Sequence, residues 1–316
     1  MAEQQSHGTL TAAFERTGSP FWLMDCIQQQ GLDRKYGFTL QVNYLDDQWQ
    51  GGRHATEQAL VDGDVDFIDC DWLTLLRCRR EGLPISAVYP YGRILGGLMV
   101  PPGSPVQDVG GLYKKSVGVV NRRDKNWMLF QAYSRQVMGI DPETSLRLRE
   151  AGSKTTLLQW LQQGELDAAI VYWQQIPALQ QQGYRLLLDI PLLLPALATI
   201  TTPTSFFIFR EQLIAARPEL IRAFIAALKD AILHLDQQPR SWQRIGKELL
   251  DISDAELLQL RHLWHSRIAQ PWNVEQLQAL WPLTRQLFGG DKKQFMQAFA
   301  WSFMNTNALT TGACEV

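Results

Sequence analysis

Few residues in this chain have the chemistry for covalent catalysis. Cys26, Cys70 and His54 are the candidates; a thiol attacks only as the thiolate, and a neighbouring imidazole is its usual activator. Cys70 sits between Asp69 and Asp71, whose charge opposes thiolate formation. A buried free cysteine behaves mainly as a small hydrophobe, so no catalytic residue is assigned and no enzyme is expected. His262 and His265 have the i, i+3 spacing of a helical ligand pair, but no third ligand accompanies them. Cys26, Cys70, Cys78 and Cys314 form neither a CxxC pair nor a disulfide framework. The glycine pairs at 96–97, 110–111 and 289–290 lack phosphate-loop or dinucleotide spacing. No metal and no cofactor are expected.

Residues suited to non-covalent recognition are better represented. Aromatic rings recur beside short polar residues and charges at Ser19, Phe21 and Trp22, at Asp47 and Trp49, at Asp69, Asp71 and Trp72, and at Tyr91. The same mixture returns at Arg122, Asn126 and Trp127, at Ser153 and Lys154, and at Tyr172 and Trp173. Rings offer a large contact area at low entropy cost and can stack on a flat or apolar ligand. Against that stands their other use, which is to cap a core. The carboxylates of Asp46, Asp47, Asp69 and Asp71 suit amines, whereas Arg122, Arg123, Lys125 and Lys154 suit a sulfonate, phosphate or carboxylate. Ser19, Ser153 and Thr155 are hydroxyl donors, or simply helix N-caps.

These residues need elements that bring them together. Strand-like segments at 9–14, 39–45 and 65–68 alternate with helix-like ones near 21–30, 53–61 and 72–81, an α/β pattern. One unit occurs twice: residues 58–68 read QALVDGDVDFI and residues 159–170 read QWLQQGELDAAI, aligning Gly63 with Gly164 and Asp66 with Asp167. In each copy a helix ends on a glycine suited to the left-handed cap, and an aspartate then leads into a buried strand. Two copies predict two lobes of similar build. The extended runs 88–100 and 198–209 read as the two crossovers between them, forming a hinge. Lobe 1 is therefore assigned to 1–93 and 201–316, lobe 2 to 94–200. Beyond Glu211 the pattern is helical, with segments near 218–235, 241–250, 254–268, 274–288 and 292–304, read as a packing tail.

The 316 residues exceed the roughly 100–200 of a usual domain, again favouring two. A net charge of −2 gives no broad basic field for nucleic acid or an anionic membrane. The greasiest stretch, 186–200, is interrupted by Asp189, Pro191 and Pro195 and falls short of the ~20 clean apolar residues of a membrane helix. Residues 1–8 show no export signal, as in a cytoplasmic protein or in a secreted one whose signal has been removed.

The chain resembles the type 2 periplasmic substrate-binding proteins of ABC importers, in the group that handles sulfonates, nitrate, taurine and thiamine precursors. The resemblance rests on GLDRKYGF at 31–38, Gly63-x-Val65-Asp66, GSPVQDV at 103–109, KSVGV at 115–119, Gly164-x-Leu166-Asp167 and RPELIRAF at 217–224. It implies two α/β lobes joined by a two-crossover hinge, with a helical C-terminal tail and a ligand clamped between the lobes. It also implies a monomeric periplasmic protein that hands a small ligand to an ABC permease; the loop charges and rings suit an anionic or zwitterionic one with a flat or apolar part. An enzyme on the same fold and a non-transport sensor or accessory are the alternatives. The carboxyl ends of the sheet strands are where a ligand would lie; fifteen of the sixteen binding candidates named above fall in loops at those ends, and Tyr91 is on the hinge.

Overall fold

The computed structural model describes residues 7–16, 18–50, 52–198, 202–268 and 273–304. Thr17, Gly51, Cys314 and part of the second crossover, 199–201, lie outside them. The strands are β1 (Gly8–Glu15), β2 (Phe38–Leu45), β3 (Trp49–Gln50), β4 (Arg53–His54), β5 (Phe67–Asp71), β6 (Ile85–Gly92), β7 (Gly96–Val100), β8 (Ser116–Val119), β9 (Arg147–Glu150), β10 (Ala168–Tyr172), β11 (Arg185–Asp189) and β12 (Ser205–Arg210).

Two five-stranded sheets result, ordered β2-β1-β5-β12-β6 and β9-β8-β10-β7-β11. Within each, the first three strands run parallel and the fourth is antiparallel to the third. That fourth strand is in both cases one delivered by a crossover: β7 enters the second sheet from the first, and β12 returns. Helices cover both sheets, and the C-terminal region is helical.

The duplicated sequence unit has a physical basis. The helices Ala55–Asp62 and Lys154–Gln162 end near Gly63 and Gly164, whose φ values of 88° and 74° suit a residue without a Cβ. Each aspartate that follows then ties the incoming strand to the parallel strand beside it. Asp66 donates its amide to the Thr11 carbonyl (2.9 Å) while its Oδ2 accepts from the Thr11 amide and hydroxyl, both at 2.8 Å. Asp167 donates to the Ser116 carbonyl (2.9 Å) and accepts from the Ser116 amide at 2.8 Å. Because Asp66 is spent on this clasp, the strand anticipated at 65–68 begins at Phe67.

The run 88–100 is not one extended segment but two strands in different sheets, joined by 93–95. Gly92 marks the break: a Cβ there would lie 2.8 Å from the Arg267 guanidinium carbon. In the tail, helix 218–237 is continuous, while the helix anticipated over 274–288 stops at Gln278 and restarts at Trp281, with Pro282 in its first turn. Proline has no amide to carry the earlier helix onward. The segment 241–250 is likewise split, into Pro239–Arg244 and a π-helical turn to Leu250.

Apolar packing unites the first sheet with the tail. Phe14, Phe67, Phe207, Phe209 and Phe224 form an aromatic core between the sheet and helix 218–237. Trp22, Trp242 and Trp264 meet Trp173 of the second lobe, with Trp22 and Trp173 edge to face at 5.5 Å.

Candidate functional site

A cavity of about 150 Å³ lies between the lobes. The carboxyl ends of β1, β5 and β10 supply Glu15, Asp69 to Asp71 and Tyr172 to its wall. Lobe 1 adds Ser19, Asp47, Trp49, His54 and Tyr91, and lobe 2 adds Arg123 to Lys125, Lys154 and Trp173. Arg267, from the last turn of helix 254–268, closes the floor.

Lys154 bridges the lobes. As the first residue of its helix it has a free amide, which donates to Asp47 Oδ2, and its ammonium bonds Glu15 and sits 4.6 Å from the centre of the Tyr172 ring. Burial by itself would lower the Lys154 pKa; the negative charges of Glu15, Asp47 and Asp69 outweigh it and hold the group above its ordinary value. Burial would likewise raise Asp47, but the His54 hydrogen bond and the Lys154 charge pull it below the usual carboxylate range. The His54 tautomer follows from its neighbours. Nδ1 accepts from the Thr56 amide at 3.3 Å, so Nε2 carries the proton toward Asp47 Oδ1, also at 3.3 Å. Glu15, Asp47 and His54 set three ligand-type atoms within 4.8 Å of one another, and the Lys154 ammonium already provides the positive charge there.

The floor is a chain of three groups. Arg267 Nη2 donates to the Tyr91 hydroxyl oxygen (3.2 Å), which fixes that hydroxyl's proton toward Asp69 Oδ2 (2.7 Å). Arg267 also bonds Ser205 Oγ (3.1 Å) and the Arg93 carbonyl, so the tail grips the first crossover and the floor together. Desolvation raises the Asp69 pKa, against the Tyr91 hydrogen bond and the Arg267 charge. The Tyr91 phenol is pushed well up by the same burial.

A family model described as NMT1/THI5 like matches residues 42–241, well over half of the chain. The chain belongs to the NMT1/THI5-like family. No curated protein matches it. Among solved structures, the alkanesulfonate-binding protein SsuA from Xanthomonas axonopodis pv. citri bound to MOPS superposes with a TM-score of 0.73 at 16% identity, covering 92% of this chain and 97% of that one. The periplasmic aliphatic sulphonate binding protein SsuA from Escherichia coli gives 0.71 at 17% identity, covering 93% and 98%. The Candida albicans CA3427 gene product, which has the generic periplasmic binding protein fold, gives 0.66 at 14%, covering 92% and 94%. The fold of this family member is thus that of the type 2 periplasmic binding proteins, two α/β lobes with a helical C-terminal region.

Of the sixteen binding candidates in this NMT1/THI5-like chain, nine line the one cavity: Ser19, Asp47, Trp49, Asp69, Asp71, Tyr91, Lys154, Tyr172 and Trp173. Ser153 caps its own helix, accepting from the Thr156 amide at 3.0 Å, and borders an adjoining notch. The other six are placed elsewhere. Trp22 belongs to the tryptophan cluster, Trp72 donates its indole N–H to Thr284 Oγ1 (3.0 Å) inside the core, and Trp127 packs on Phe130. All three are fully buried. Phe21 packs on Tyr44, and Arg122 pairs with Glu143 and Glu150. Asn126 is buried beside Gly96, whose missing Cβ leaves it room. The physical reason is common to the rings: on a helix that opens at the cleft, the residue turned toward the sheet gains more from full burial than from solvent contact.

The thiol and imidazole weighed for catalysis do not pair. His54 is committed to Thr56 and Asp47. Burial pushes Cys26 up to about 12, and burial with the Asp71 charge raises Cys70 well above its usual value. Glu15, His54 and Arg267 join the site without having been singled out as binding residues. Glu15 ends a strand just as Asp69 to Asp71 do, so the strand-end rule reaches it. Arg267 carries no local signal, and in sequence the tail that delivers it reads as packing alone.

Proposed function

We propose that this protein is a solute-binding clamp that holds a small zwitterionic organic molecule between its lobes and hands it to an ABC permease. The observation that carries the reading is an interlobe cavity whose wall is shared by strand ends of both sheets and spanned by Lys154. Glu15, Asp47 and Asp69 on the first lobe and Lys125 and Lys154 on the second suit a ligand bearing both charges, and Trp49 and Tyr172 offer faces for a flat or apolar part. The crossovers form the hinge, the first of them at 93–95, with lobe 1 as 1–93 and 201–316 and lobe 2 as 94–200; closure brings Lys154 onto Glu15 and Asp47. A monomer working in the periplasm fits this role, and no helix among the described residues is long and apolar enough to cross a membrane.

A thermal-shift screen of small metabolites tests the proposal, since a ligand that binds only the native state raises apparent stability by mass action. A saturable shift with the compound recovered unaltered is expected. Conversion of the compound would replace the clamp by an enzyme.

A further inference from the structure

The polar groups of the cleft are not equally occupied. Asp71 spends both oxygens on the cap of helix 72–80, accepting from the Leu73 and Thr74 amides and the Thr74 hydroxyl. Asp124 accepts from the Asn126 amide and the Tyr172 hydroxyl. Asp47 accepts from His54 and from the Lys154 amide, and Glu57 is paired with Arg77. Three of the four lining cations are committed as well: Lys154 to Glu15, Arg267 to three acceptors, Arg123 to the Gly52 carbonyl at 3.1 Å. Asp69 differs. Its Oδ2 takes the Tyr91 hydroxyl, and among the described residues no donor reaches its Oδ1, although the residue faces the cavity.

A carboxylate on a cavity floor with an open acceptor is satisfied by a ligand N–H, and most strongly by a charged one. An incoming anion, by contrast, meets four aspartates and two glutamates in the wall, and of the lining cations only Lys125 is without a hydrogen-bond or ion-pair acceptor among the described residues. We propose that Asp69 is the ligand's anchor and that the cleft selects compounds carrying a protonated amine or amidine over sulfonates and carboxylates. Tyr91 and Arg267 are its positioning residues: they are 1% and 6% exposed, and they hold Asp69 Oδ2 so that Oδ1 is left for the ligand. Lys125, 6.0 Å from the Tyr172 ring centre on the second lobe, is placed for the opposite end of a zwitterion. The inference rests on the clamp reading and deepens it.

Calorimetric titration of the full chain with matched pairs isolates the charge: butylamine against butane-1-sulfonate, and benzamidine against benzenesulfonate, at one ionic strength. The nitrogen member of each pair is expected to bind about tenfold or more tightly than its partner, and Asp69→Asn to remove about that factor for the amines alone. Sulfonates binding as well as the amines would overturn the proposed ligand class while leaving the clamp intact. Amine binding unchanged in Asp69→Asn would overturn the anchor. No heat from any of the four would overturn the class too, and the clamp would then be judged by the metabolite screen. The wild-type comparison decides the matter even if the variant does not fold.

Discussion

Asp69 and Trp72 are neighbours in sequence with opposite tasks. Trp72 is fully buried and bonded to Thr284, so Trp72→Ala is expected to cost about 3–5 kcal/mol of stability, read by urea unfolding. A truncation that merely weakened ligand binding would return the ring to the cleft wall. Asp69 is a carboxylate kept against its desolvation, a form of stability given up at a working site. Its folded pKa is raised, so the ionised form is disfavoured by folding above that value, and below the unfolded value of about 3.9 both states are protonated. Asp69→Asn is therefore expected to raise the melting temperature at neutral pH, with the gain fading as pH falls through the raised value and absent near pH 3. A constant gain across pH, or a loss at neutral pH, would contradict the assignment of burial as the cause.

At the scale of elements, the paired clasps explain why one sequence unit appears twice. Asp66 and Asp167 each close the loop between a helix and a buried strand, where an unpaired amide would otherwise be stranded. Asp66→Ala and Asp167→Ala are each expected to cost about 1–3 kcal/mol by chemical denaturation. The Asp66 change is expected to cost more, because it strands both the Thr11 amide and hydroxyl. Equal and negligible losses would mean that the repeat reflects helix capping by Gly63 and Gly164 alone. The same elements show how a helix can be legible while its breaks are not: Pro282 stops the helix anticipated over 274–288, yet the apolar pattern runs on across the gap.

For the whole molecule, the contact that matters is Lys154 with Glu15 and Asp47, because it joins the lobes through one side chain and its backbone amide. Stripping the ammonium leaves carboxylates that are better solvated when the lobes part, so the cost falls on the closed form more than on folding. Lys154→Met is expected to shift the protein toward an open form, with a larger radius of gyration by small-angle X-ray scattering and a changed tryptophan emission, since Trp173 leaves the cluster of Trp22, Trp242 and Trp264. An unchanged radius would place the control of closure elsewhere, with the Arg123 contact to Gly52 the next interlobe bond to remove.

The order of strands and helices, the doubled unit and the two-lobed class follow from local patterns, because periodicity, glycine caps and turn chemistry act over a few residues, and those are printed in the sequence. For the same reason the strand-end loops at Ser19, Asp47, Asp69 and Lys154 were legible as one group. Which ring reaches the cleft was not, since Trp22, Trp72 and Trp127 read like Trp49 until the sheets beneath them are in place. Arg267 was beyond reach altogether. It arrives in the floor beside Asp69 only through the packing of a distant helix against the first crossover, a contact fixed by burial and shape in three dimensions and by nothing in its own neighbourhood.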